Sequence, residues 1–105
     1  MEFLYKTTAT RLEMVTEGPN NAEKTIVNRH FNYLKSLTEQ GTVLLFGRTQ
    51  NSDERTFGIV VFRVGSEEEA RSIMSNDPAV KEGVMTAELY PYKVAGLNCS
   101  GWHID

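Results

Sequence analysis

The stretch Thr56-Phe57-Gly58-Ile59-Val60-Val61-Phe62-Arg63-Val64 constrains the fold more than any other part of the chain. Its β-branched and aromatic residues favour a strand. Alternation at period two puts Phe57, Ile59 and Val61 on one side and Val60, Phe62 and Val64 on the other, so both sides are apolar. A sheet built around this strand must be covered on both faces.

The rest of the chain supplies one cover. Residues 3–15 hold neither Gly nor Pro, are rich in strand-forming types, and are expected to form mostly strand. Gly18-Pro19-Asn20-Asn21 breaks that run, and Asn20 followed by Glu23 has the spacing of a helix start with asparagine as the cap. A helix is expected from about Ala22 to Gln40, ended by Gly41 as a left-handed residue. Thr42 to Arg48 reads as a second strand, joined by the polar turn Gln50 to Glu54 to the strand at 56–64 as an antiparallel hairpin. Ser66-Glu67-Glu68-Glu69 is a capping box that opens a second helix, and this helix should stop by Asn76, because Asp77 precedes Pro78. Val84 to Ala95 completes the set as a strand in which Pro91 implies an edge or a bulge.

The resulting order, β-α-β-β-α-β, is that of an α+β ferredoxin-like sandwich: a four-stranded antiparallel sheet with two helices on one face. The second face stays bare in a single chain, and a second copy of the sheet is the expected cover, which predicts a homodimer. Residues 1–95 are read as this domain and 96–105 as a C-terminal tail. The 105 residues suffice for one core and not two.

Composition narrows the function. A net charge of -3 without a Lys/Arg cluster gives no footprint for nucleic acid. No run spans a bilayer and the N-terminus lacks the pattern of a signal peptide, so a cytoplasmic protein without membrane contact is expected. Cys99 is the single cysteine, which rules out a disulfide within the chain. Cys99 and His103 have the spacing of an i, i+4 ligand pair, but two ligands on a glycine-containing tail do not make a metal site, and neither metal nor cofactor is expected.

Chemistry, if present, starts at His30. At about 100° per residue, Ile26, Val27, Phe31, Tyr33, Leu34 and Leu37 share one arc of the first helix, and His30 falls in its middle. An imidazole aimed at a core needs a partner that satisfies it or a cavity that uses it. A satisfied core histidine and a catalytic one read alike here. Arg48, ending the second strand, has the planar fork to clamp an anionic ligand, or is simply solvated. Tyr90 and Tyr92 alternate onto one face of the last strand, where they either line a pocket or pack.

Three stretches resemble the YCII-related (YciI-like) family. His30-Phe31-Asn32-Tyr33-Leu34 is similar to its helical histidine motif, Gly41 to Gly47 to its second strand, and Asp77-Pro78-Ala79-Val80-Lys81-Glu82-Gly83 to its Asp-Pro signature, followed by Pro91-Tyr92. The resemblance covers residues 3–95 and implies the dimeric α+β barrel form of the fold. It also implies a catalytic dyad of His30 and Asp77. The chain departs from the family at Arg48, where relatives often have proline, and at Ala79, where they have an aromatic residue.

A dyad of this kind does general acid/base work: the aspartate fixes the imidazole tautomer and stabilises imidazolium once a proton is taken. Related dimeric barrels act in this way on lactones and chlorinated quinol-type rings. The implied activity is that of a lyase or isomerase on a small lactone- or quinol-like substrate, with His30 and Asp77 catalytic; an anionic substrate bound by Arg48 and Tyr92 is read from the residues themselves and not from the resemblance. The alternative is a dimeric module that binds a small molecule or a protein without turnover. No serine or cysteine carries a nucleophile signature.

Overall fold

A computed structural model describes residues 1–98 and 100. In chain order the elements are β1 (Glu2–Ala9), α1 (Glu13–Thr16), α2 (Asn21–Glu39), β2 (Val43–Arg48), β3 (Gly58–Arg63), α3 (Glu67–Asn76), α4 (Pro78–Lys81) and β4 (Met85–Tyr92). The four strands form one antiparallel sheet in the order β2-β3-β1-β4. This is the expected α+β ferredoxin-like arrangement, with the helical layer on one face.

Local chemistry fixes the long helix at both ends. The Asn20 side chain accepts from the Glu23 amide at 2.9 Å, and the Glu23 carboxylate accepts from the Asn20 amide at 2.9 Å, a reciprocal capping box. Gly41 ends the helix at φ 87°, a conformation that costs glycine little and other residues more.

Strand periodicity sorts the core. On β1, Phe3, Tyr5 and Thr7 alternate inward under the helices, opposite Phe62, Val60 and Gly58 of β3. Leu34 of α2 and Ala70 of α3 close over them. Phe62 meets Phe3 and Tyr5 at centroid distances of 6.0 and 5.7 Å, the second contact edge-to-face.

Two regions of the chain, one after β1 and one after α3, differ from the sequence expectation. The first strand ends at Ala9 rather than near residue 15, because its partner strands run out: β3 pairs as far as Thr7 and β4 as far as Ala9. Released from the ladder, the chain turns into α1 and buries Met14. Past Asp77 the chain also forms the short helix α4, with Pro78 at its first position and Asp77 as its cap. Pro91 lies on β4, an edge strand of the sheet. The tail reading of Cys99 and His103 falls outside the described residues.

Candidate active site

Asp77 is the point where the helical layer and the sheet meet through polar groups. Because it precedes proline, its backbone is extended (φ -59°, ψ 122°), which stops α3 and turns the carboxylate inward as the cap of α4. The side chain is fully buried, and donors reach it from three elements. His30 Nδ1 of α2 stands 2.6 Å from Oδ1, the Ala79 amide donates to Oδ1 at 3.0 Å, and the Tyr5 hydroxyl of β1 donates to Oδ2 at 2.7 Å. Since the carboxylate is the acceptor for all three, the shared hydrogen sits on Nδ1, and in the neutral form of the imidazole the lone pair is then on Nε2. Among the described residues Nε2 has no hydrogen-bond partner.

The surrounding phenols respond to this charge. Burial first, and then the Asp77 charge and hydrogen bond, push the Tyr5 hydroxyl far above the usual tyrosine range. Tyr33, whose hydroxyl donates to the Ile73 carbonyl at 2.8 Å, is pushed up to about 12 by burial and then by Asp77.

His30 is a wall residue as well as a partner of Asp77. Its side chain keeps 16% of its exposure and borders a cavity of about 610 Å³ between α2 and the β2–β3 end of the sheet. Thr7, Phe31, Phe46, Arg48 and Phe57 line the same space. Phe31 and Phe46 pack edge-to-face at 5.6 Å, giving the cavity an aromatic side. Met14 and Val15 of α1 border it too, so the turn after β1 forms part of the wall. Gly58 makes room for Thr7: a Cβ there would come within 2.6 Å of the Thr7 hydroxyl oxygen.

The geometry brings together three of the four residues that the sequence put forward. His30 and Asp77 are hydrogen-bonded, and the exposed Arg48 borders the cavity, its guanidinium making a 3.4 Å bond to the Thr49 carbonyl. Tyr92 does not join them. It pairs with Glu2 at the far end of β1 from Thr7, on the sheet face away from the helices, because the alternation of β4 turns Leu89 and Pro91 toward the helices. Sequence reasoning missed Tyr5. Its inward side was legible from the alternation of β1, but its bond to a residue 72 positions away was not.

The sequence model of the YCII-related domain matches residues 4–93. The chain belongs to this family. No curated protein sequence matches it significantly. Among solved structures, one similar to it in fold is 5-chloro-2-hydroxyhydroquinone dehydrochlorinase from Burkholderia phenoliruptrix AC1100, in complex with 2,5-dihydroxybenzoquinone. The TM-score is 0.66 at 21% sequence identity, over 89% of this chain and 94% of the other, a likeness of fold. Among the described residues of this YCII-related domain, no helix is long and apolar enough to cross a membrane, and no group of three or more His, Cys, Asp or Glu could hold a metal ion.

Proposed function

We propose that the protein is a small cytoplasmic enzyme of lyase or isomerase type, which removes and returns a proton on a small anionic ring compound of quinol or lactone kind. The observation that carries this reading is the 2.6 Å contact of His30 Nδ1 with the buried Asp77 carboxylate, made by an imidazole that also borders the cavity. Asp77 orients the imidazole and stabilises the imidazolium. Nε2 takes a proton from a hydroxyl or carbon of the substrate ring, the electron pair of that bond becomes a new double bond, and the leaving group departs with its own pair. The imidazolium then passes the proton to water or, in an isomerisation with no leaving group, back to the substrate. The aromatic side of the cavity, formed by Phe31 and Phe46, suits a flat ring, and the Arg48 guanidinium suits an oxyanion or carboxylate on it. The neighbouring fold supports the substrate class, since that dehydrochlorinase holds a dihydroxyquinone. The active unit we propose is a homodimer joined through the open sheet face.

The test is chloride release from 5-chloro-2-hydroxyhydroquinone, run beside calorimetric titration with 2,5-dihydroxybenzoquinone. Turnover by the natural chain and a loss of about 10²- to 10⁴-fold in His30→Ala, with a smaller loss in Asp77→Asn, are expected. Binding of equal strength to all three proteins without turnover identifies a binding module instead.

A further inference from the structure

We propose that Tyr5 is a positioning residue of the site: its hydroxyl, through Asp77, sets how strongly the His30–Asp77 pair holds a proton. This inference rests on the acid/base reading of His30. Tyr5 reaches the pair only at Asp77 Oδ2, 2.7 Å away, while Oδ1 serves His30 and the Ala79 amide. Because the phenol is fully buried, it can neither turn to water nor exchange partners. Its acidity is suppressed by burial and by the neighbouring carboxylate, so it remains a donor across the whole working range of pH.

The donor has two effects. It draws negative charge out of the carboxylate and so weakens the hold of Asp77 on an imidazolium; the hydroxyl opposes proton uptake at His30 and keeps Nε2 available as a base. It also occupies Oδ2, which leaves Oδ1 as the oxygen that meets Nδ1–H and holds the tautomer. Packing alone does not call for the hydroxyl. The ring stands edge-to-face on Phe62 at 5.7 Å, and a phenylalanine would keep that contact. Among the described residues, the neighbouring polar groups include Tyr33 on α2, tied to the Ile73 carbonyl; Thr7 on β1, which does not titrate; and Arg48 on β2, which borders the same cavity.

The measurement is an NMR titration of the imidazole nitrogens in the ¹⁵N-labelled full chain. The chain has two histidines, and the His30 signal is the one lost in His30→Gln. Natural protein is compared with Tyr5→Phe and with a chain carrying 3,5-difluorotyrosine at position 5, which keeps the shape and hydroxyl but donates more strongly. In Tyr5→Phe the His30 midpoint should move to higher pH by about 3- to 10-fold in proton affinity, the equivalent of one hydrogen bond, with loss of the single Nδ1–H tautomer. The difluoro chain should move it to lower pH. Midpoints that stay together in folded proteins, or that shift in the reverse order, overturn the proposal. Should Tyr5→Phe fail to fold, the difluoro chain decides alone. The titration is independent of turnover: ordered shifts in a chain without activity would sink the enzyme reading and leave this coupling standing, whereas activity without shifts would sink only the coupling.

Discussion

Asp77 is buried as an acceptor for three donors, and removing it strands all of them. In Asp77→Ala the fully buried Tyr5 hydroxyl and Ala79 amide lose their partner out of reach of water, His30 Nδ1 loses its own at the cavity wall, and the expected loss is about 3–5 kcal/mol. Asp77→Asn keeps a carbonyl oxygen for His30 and Ala79 and deprives only the Tyr5 hydroxyl of its acceptor, so its loss should stay at about 1–2 kcal/mol. Urea unfolding of the two variants checks this; equal losses would mean that Asp77 acts through its charge alone. Recognition of these residues from sequence was uneven for a physical reason. His30 announced itself by contrast with its apolar helix face, and Asp77 through a motif beside proline. Tyr5 is an ordinary core aromatic until its hydroxyl is located, and Tyr92 had the right alternation but the wrong face.

At the scale of elements, segments whose ends are set by neighbouring residues were legible, and those set by distant partners were not. The capping box of α2 and Gly41 beyond it could be read locally. The end of β1 could not, since the ladder on β3 and β4 decides it, and α4 was hidden in an Asp-Pro pair that starts turns and helices alike. The start of α2 also holds a bond across the turn beside the cavity: Glu23 accepts from Arg11 at 2.6 and 3.0 Å, besides capping Asn20. The Arg11 side chain and then the Asn20 amide hold the Glu23 carboxyl down to about 2. Folding therefore lowers its proton affinity: the stabilisation is complete above the ordinary carboxylate range near 4.5 and is lost as the pH falls through about 2. Glu23→Gln should lower the melting temperature at pH 7 and flatten its decline between about pH 5 and pH 2. Thermal melts by circular dichroism across that range supply the comparison, and parallel curves for the two proteins would remove the pair from the account.

For the whole molecule, the two-sided apolar pattern of β3 still governs. One side, Val60 and Phe62, is sealed under α2 and α3. The other carries Leu45, Val61, Leu4 and Tyr90 as neighbours in one row across all four strands; Val61 at its middle is buried, whereas Leu45 and Tyr90 at its ends are 41% and 44% exposed. Charged residues frame the row: Glu2 pairs with Arg63 at 3.7 Å, and the Lys6 ammonium stands 5.0 Å over the Phe57 ring. A continuous apolar row with a charged rim has the composition of an interface that matches itself across a two-fold axis. The proposed dimer should therefore sediment at twice the 11.9 kDa chain mass at micromolar concentration. Leu45→Glu sets two carboxylates into that contact, one from each copy, where they cannot both be solvated. The variant should sediment as a monomer and keep its fold, since Leu45 is already half exposed and lies outside the helix-side core. Sedimentation velocity read together with far-ultraviolet circular dichroism separates the outcomes: a folded monomer places the contact on this face, whereas a Leu45→Glu protein that remains dimeric moves it elsewhere.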